Sequence, residues 1–340
     1  MSERQERLLA IVHAWQGKRI LVLGDVVADE LVVGIPRAIA REAPVLVLQH
    51  AESRVLPGGA TNVAANAAAL GAKVDVCGVV GDDETGRELV TALAAAGLGC
   101  AGVAVDPSRP TTTKTRIFAG GAQQPVQQLL LRLDRLDRRP VTEAVTEVMA
   151  AYLARTLPRV DALMISDYEN GVIHPGLIAA SLPAALNLGR LVAVDSHGDL
   201  LRFRGAHLFT PNQPEAEAGL GRQLTTPADV ENGGRRLLTE LAAQAVLITR
   251  GREGMTLVAR QTPAVHFPAS PGVTAVDPTG AGDTVAATFT LAGVAGATLV
   301  EAAELANLAA GIVVARMGTA TATAADLLAA IAALPARDGE

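Results

Sequence analysis

Short apolar, β-branched runs alternate with longer alanine-rich stretches along most of the chain. "RILVLGD" (19–25), "KVDVCGVVG" (73–81), "DALMISD" (161–167), "LVAVDS" (191–196), "HLFTPN" (207–212) and "AVLITRG" (245–251) each read as a strand. Continuous apolar runs of this length suit strands covered on both faces. Residues 5–16, 60–72 and 83–97 read as helices, with Gly71 and Gly97 as stops. Strands alternating with helices predict an α/β fold: a doubly wound, mostly parallel sheet flanked by helices. Ligands in such sheets sit beyond the carboxyl ends of the strands. The pattern puts Asp25, Asp167, Asp195, Asn212 and Arg250 there.

Two stretches interrupt the alternation. Residues 30–56 and 103–134 read as strands and turns without a convincing helix. Each leaves the main sheet and returns, which predicts a small β-sheet lid over the strand ends. No internal repeat or low-complexity tract divides the chain, so residues 1–340 are expected to form one domain, with 333–340 as a frayed end.

Composition adds a few limits. Apolar residues make up 49% of the chain and aromatics 2%, so a large core must rest on Ala, Val and Leu. The net charge of −6 is spread along the chain, which argues against a nucleic-acid or anionic-membrane surface. Cys77 and Cys100 form no C-x-x-C pair and lack metal-ligand spacing with a histidine, so they read as reduced thiols. The six histidines show no H-x-x-x-H or H-E-x-x-H arrangement. The N-terminus is charged and amphipathic, and no run of about 18 apolar residues occurs. The expected location is the cytoplasm.

The stretch "VDPTGAGDTVAATF" (276–289) carries the clearest chemistry. A helix N-terminus offers unpaired N–H groups and partial positive charge, and glycines just before it let the backbone close on an anion. The amides of Gly280, Ala281 and Gly282 are placed to do so, with Asp283 in the first helical turn. An anion hole beside a carboxylate suits phosphoryl transfer: the hole stabilises the migrating group and the acid takes the acceptor's proton. No Walker A sequence is present, and no G-x-G-x-x-G follows the first strand.

These residues resemble the ribokinase-like (PfkB-type) sugar kinases. "DPTGAGDT" is similar to that family's C-terminal signature and "PGGATNVAANAAALG" (57–71) to its N-terminal one. "TPNQPEAE" (210–217), "LITRGREG" (247–254) and "ELANLAAGIVVARMG" (304–318) follow in the family's order. The resemblance implies ATP and Mg²⁺, with Asp283 as base and the Gly280–Asp283 amides as anion hole. It places Gly58, Gly59 and Asn62 on the sugar, the residues suit that task, and Asp25, at the end of the first strand, is read as a further sugar ligand. Paired glycines admit a close ligand, Asn62 can donate and accept, and a carboxylate matches two vicinal hydroxyls. Asp167, at its own strand end, joins them as a substrate candidate. By the same resemblance Asn212 lies near the phosphates and Glu215 orients water on Mg²⁺, while Thr249, Arg250, Gly251 and Gly254 pass under the nucleotide. Asn307 and Gly311 border the adenine. Asp277 and Thr279, with carbonyls near Gly318, resemble a monovalent-cation (K⁺) site found in part of the family.

The two lid stretches, "GDVVADELVVGIPRAIAREAPV" and "TKTRIFAGGAQQPVQQLLLRLD", resemble bacterial heptose 7-phosphate kinases. Those enzymes phosphorylate O1 of D-glycero-D-manno-heptose 7-phosphate on the route to ADP-heptose. Lys114 and Arg116 alternate on one strand face, suited to a sugar phosphate. The chain departs from that pattern at Glu169 and Asn170, where a small residue and a lysine are usual, and at His197, where a lysine is usual. Whether the sugar already carries a phosphate therefore stays open. So do a ribokinase- or fructokinase-like specificity and a sugar- or nucleotide-binding relative without turnover. No H-x-G-H motif is present, so the kinase step alone is expected. Exposed lid edges favour pairing, and a homodimer through the lid is expected.

Overall fold

A computed structural model describes residues 2–120, 128–260, 262–269, 276–316 and 318–335. Part of the second lid excursion, 121–127, and most of the expected frayed end, 336–340, lie outside them. Chain order runs α1 (Glu3–Ala14), β1 (Arg19–Gly24), β2 (Val26–Ile39), β3 (Leu46–Gly59), α2 (Ala60–Ala69), β4 (Lys73–Val80), α3 (Glu84–Ala95) and β5 (Gly99–Val105). It continues through β6 (Thr113–Ala119), β7 (Gln128–Arg135), α4 (Glu143–Thr156), β8 (Ala162–Asp167), α5 (Pro175–Asn187), β9 (Leu191–Ser196), β10 (Leu208–Phe209), α6 (Gln213–Leu220) and α7 (Pro227–Glu240). β11 (Ala245–Thr249), β12 (Met255–Ala259), β13 (Val265–Phe267), α8 (Ala281–Val294), α9 (Leu299–Val314) and α10 (Ala324–Ala332) complete it.

The main sheet has nine strands in the order β13-β12-β11-β10-β9-β8-β1-β4-β5. All pair in parallel except β12 and β13 at one edge. Side chains alternate faces along a strand, so each buried strand feeds two cores. Ile20 and Val22 of β1 join the core under α2, α8 and α9. Leu21 and Leu23 join the core under α4, α5 and α7. β8 and β11 divide in the same way, which is why residues 162–165 and 245–248 are apolar at successive positions. The doubly wound expectation therefore holds. Among the described residues no helix is long and apolar enough to cross a membrane.

Two local expectations need correction. "HLFTPN" keeps only Leu208–Phe209 as strand, because Pro211 has no N–H for the ladder; beyond it Asn212 forms an isolated bridge with Thr249. Residues 103–105 belong to β5, which pairs with β4 in the main sheet, so the second lid excursion enters its strand only at Thr113. An edge strand's apolar pattern does not say which sheet it joins.

The lid is a four-stranded sheet ordered β3-β2-β6-β7. β2 leaves β1 after one residue, Asp25, and β3 returns to Gly59, the residue before α2. Strand order reverses between β1 and β8, and the crevice beyond their carboxyl ends is the expected ligand position. Asp25 stands at that joint. Its Oδ2 accepts the N–H groups of Tyr168 (2.7 Å) and Asn170 (3.2 Å), and its Oδ1 accepts that of Val172 (3.3 Å). Burial, with help from Asp167, lifts its carboxyl to about 6 despite those donors. Asp167 is likewise buried, accepting from Ser196 Oγ (3.0 Å) and pairing with Arg202 (3.2 Å). Both acids were expected at the substrate. Both are instead turned into the protein, where they tie the loop after β8 to its neighbours.

Removing Asp25 leaves buried amides without an acceptor, at about 1–3 kcal/mol per unsatisfied group. Asp25→Ala is therefore expected to lower the unfolding free energy by at least ~2 kcal/mol. Denaturant melts of the two proteins check this; superimposable curves contradict it.

Candidate active site

Eight of the helices are closed at the N-terminus by their own side-chain caps: α1, α3, α4, α5, α6, α7, α9 and α10. α2 and α8 are not. Both begin at a glycine of positive φ, Gly59 (55°) and Gly280 (81°), and both face one cavity of about 1370 Å³. A Cβ on Gly59 would come within 2.7 Å of the Asp25 carbonyl oxygen, and one on Gly280 within 2.7 Å of Asn62 Nδ2. Gly282 has open space above it. In the first turn of α8 the N–H groups of Gly282 and Asp283 have no intrahelical acceptor. Ala281 differs, because its N–H donates to the Pro278 carbonyl (3.2 Å), within the turn.

Asp283 is buried at the cavity wall. Asn62 Nδ2 donates to its Oδ2 (2.5 Å) and the Tyr168 hydroxyl to its Oδ1 (2.8 Å). Desolvation lifts the carboxyl to about 6, opposed by the donors Asn62 and Tyr168 and by nearby His197. The group is thus ionised at neutral pH yet basic enough to take a proton. Behind it, Asn66 Nδ2 donates to Asn62 Oδ1 (3.3 Å) and Thr284 Oγ1 donates to Asn66 Oδ1 (2.7 Å), locking α2 to α8. Asn62 itself does not line the cavity; it reaches it through Asp283.

One end of the cavity lies under the lid. Gly59, Lys114 and Arg116 line it, whereas Gly58 is set back against Asp29. Asp29 lines it as well and pairs with Arg116 (2.7 Å). Burial pulls the Lys114 ammonium below its ordinary pKa, partly offset by Asp29. Of the two cationic departures seen in the sequence, only His197 lines the cavity. Asn170 is 4% exposed and faces inward.

The other end is bounded by Thr249, Arg250, Gly251 and Gly254, with Asn307 and Gly311 of α9 opposite. Arg250 is held by Glu253 and by Gln213 Oε1 (3.3 Å). Asn307 Nδ2 donates to the Pro268 carbonyl (2.9 Å). Between the ends, Asn212 and Glu215 form a capping box: Asn212 N–H donates to Glu215 Oε2 (2.8 Å) and Glu215 N–H to Asn212 Oδ1 (2.9 Å). Glu215 Oε1 also meets His197 Nδ1, a bond that raises the imidazole pKa against the effect of burial. Asp195 lines the same wall, and burial, then Asp283 and Glu215, push it up to about 7. Thr279 lines the cavity, but Asp277 does not: its Oδ1 accepts Thr279 N–H (2.9 Å) and its Oδ2 Gly318 N–H (3.0 Å).

Sequence reasoning missed Asp29 and Tyr168. The signal for Asp29 was an acid inside the apolar run "VVADELVV". Tyr168 had weaker warning, as one of the chain's two tyrosines directly after a strand-end acid.

The pfkB family carbohydrate kinase profile matches residues 18–169 and 177–326. The chain belongs to that family. It is an ATP-dependent sugar kinase. The bifunctional protein HldE of Caulobacter vibrioides is 43% identical over 338 residues, covering 98% of this chain and 68% of that protein. The bifunctional protein HldE of Geobacter metallireducens is 41% identical over 309 residues, covering 91% of this chain and 62% of that protein. The chain thus spans about two thirds or less of these relatives' length. Among solved structures, phosphofructokinase-2 from Escherichia coli in complex with potassium superposes with a TM-score of 0.74 at 22% identity, covering 93% of this chain and 98% of that one. Arabidopsis thaliana ribokinase complexed with ribose and ATP gives 0.71 at 19% identity, covering 93% and 99%. At those identities the shared property is the ribokinase-like fold.

With Asp283 as the base, as the resemblance implies, the sign of the pH dependence follows. A base raised to about 6 is in its working form above that pH and is lost as pH falls through it. Sugar-dependent kcat/KM is expected to fall on the acid side with a midpoint near 6. A pH–rate profile measures this, and a limb near the ordinary carboxylate value of 3.8 contradicts it.

Proposed function

We propose that this kinase transfers the γ-phosphoryl group of ATP to O1 of D-glycero-D-manno-heptose 7-phosphate. The observation that carries the transfer chemistry is Asp283, ionised, at the uncapped glycine start of α8, midway along one cavity with a lid at one end. Asp283 takes the proton of the attacking hydroxyl. The free amides of Gly282 and Asp283, with Gly280 shaping the turn, hold the migrating phosphoryl oxygens. Asp29 and Gly59 hold sugar hydroxyls, and the carboxylate role expected of Asp25 passes to Asp29. Thr249, Gly251, Gly254, Asn307 and Gly311 bound the nucleotide.

The acid set fits a magnesium ion held through water. Asp195, Glu215 and Asp283 converge on the phosphate side of the cavity, where their mutual repulsion helps to hold Asp195 near 7. Among the described residues no three His, Cys, Asp or Glu side chains group closely enough to grip a metal directly. Magnesium keeps most of its waters and suits such a site, where it would neutralise phosphate charge. Glu215, fixed by its capping box, is positioned to orient one of those waters. Asp277 and Thr279 stand where a K⁺ ion is expected, although both Asp277 oxygens already accept amides.

The heptose reading rests on the likeness of both lid stretches and on the lid's charge. Lys114 and Arg116 face the cavity from β6, at the end away from the nucleotide. A sugar phosphate placed there keeps its own charge distant from the ATP phosphates. Asp283→Asn is expected to keep the fold and to lose at least ~10²-fold in turnover. The panel that decides the sugar is coupled ADP release with heptose 7-phosphate, ribose and fructose. Ribose or fructose turning over faster would replace the heptose assignment.

We also propose a homodimer formed through the lid. β7 exposes Leu129, Leu131 and Leu133 (50, 54 and 61%), and the β2–β3 tip adds Ile39, Leu46 and Val47. An exposed apolar row on an edge strand such as β7 is a liability unless covered, and a second copy covers it in both protomers alike. Equilibrium sedimentation is expected to show a dimer at micromolar concentration, and Leu131→Glu with Leu133→Glu a monomer. A wild-type monomer contradicts the assembly.

A further inference from the structure

The loop after β8 holds a residue to which the proposed transfer assigns no part. Tyr168 follows Asp167, and its N–H is fixed by Asp25 Oδ2. The next residue, Glu169, adopts φ 58°, a left-handed conformation rare for a non-glycine and typical of positions held by their surroundings. So anchored, the Tyr168 ring stands in the cavity between three elements. Lys114 Nζ of β6 lies 4.9 Å from the ring centroid. His197, after β9, packs edge-on with centroids 4.4 Å apart. The hydroxyl donates to Asp283 Oδ1 at the start of α8.

A carboxylate with a donor on each oxygen has one orientation; with one donor it rotates. Asn62 fixes Oδ2 from the core side, and among the described residues only Tyr168 fixes Oδ1, from the cavity side. Tyr168 in turn is seated by a cation carried on the lid. We propose that Tyr168 is a positioning residue that couples seating of the lid to the aim of Asp283. With the lid down, Lys114 holds the ring and the hydroxyl aligns the base. With the lid raised, the ring loses that contact and the base loses its alignment, so proton abstraction waits for a covered sugar. This rests on the kinase reading with Asp283 as base.

The charged groups facing Tyr168 and Asp283 are Asp29, Lys114 and Arg116 from the lid, Asp195 and His197 from the end of β9, and Glu215 from α6. Burial, then Asp283, raises the phenol well above its ordinary value, so it remains a donor across the working range.

Tyr168→Phe keeps the ring and removes only the hydroxyl. Its kcat is expected to fall on the order of tenfold, the effect of losing one hydrogen bond to a charged group. The KM for sugar should stay near wild type, and the acid limb should move to higher pH because a donor to the ionised base is gone. A structural role alone would lower the melting temperature without moving the limb. The second measurement is a kcat cycle with Lys114→Met. Removing the hydroxyl should cost less once the lid cation is absent. An unmoved limb with additive kcat effects overturns the coupling. Asp283→Asn, run alongside, separates the two readings. If it is inactive while Tyr168→Phe is normal, the base stands and the coupling falls; if it is active, the base assignment falls and takes the coupling with it.

Discussion

A carboxylate is a useful base at neutral pH only when it is partly stripped of water and still held by donors. Asp283 meets both conditions because it sits where two helices begin at glycine. Had α8 carried a side-chain cap like most helices here, its first amides would be filled and the turn would have no room for an anion. Had Gly280 a side chain, Asn62 would be displaced and Asp283 would lose its inner donor. The uncapped helix start, the buried amide and the acid are one constraint. The two-sheet architecture serves to bring the parts of that constraint together. α2 arrives from the lid by way of β3, and α8 follows the edge strands of the main sheet.

The sheet was legible in the sequence because parallel strands buried on both faces leave unbroken apolar runs. The glycine-led helices were legible for a different reason, since glycines just before a helix start let the backbone close on an anion and here they come with Asn62 and Asp283 in the first turn. The acids were harder. Asp25 looks like a strand-end ligand because "RILVLGD" stops there. In the folded chain that end is a hinge into the lid, and its carboxylate is consumed by three amides of the loop after β8. Asp29, which reaches the cavity, lies inside a strand, where a pattern search expects packing. Tyr168 escaped because its role depends on Lys114, 54 positions earlier in the chain but 4.9 Å away in space.

The departures from the heptose-kinase pattern also look different once placed. Asn170 is buried at the joint and does not line the cavity; its link to Asp25 is through its main-chain N–H, so its side chain does not set the charge at the substrate. His197 does face the cavity, but it spends Nδ1 on Glu215 and its ring on Tyr168. A lysine there would be a mobile charge; the imidazole is a fixed plate that holds the acid on one side and the tyrosine on the other.

Charge distribution along the cavity follows the same logic. Acids gather near the base, and burial raises them: Asp283 to about 6, and Asp195 to about 7 with Asp283 and Glu215 adding to the effect. Such crowding opposes folding as pH rises, since the folded chain keeps protons that the unfolded chain releases. Part of that cost is offset inside the protein, by Asn62, Tyr168 and His197 at Asp283 and by His197 and Thr210 at Asp195. The cations Lys114 and Arg116 are kept apart on the lid, one against Tyr168 and one against Asp29. Placed beside Asp283, they would neutralise the acid and lower its basicity. On the lid, Lys114 acts on it through Tyr168, and only when the lid is seated, while Arg116 is spent on Asp29.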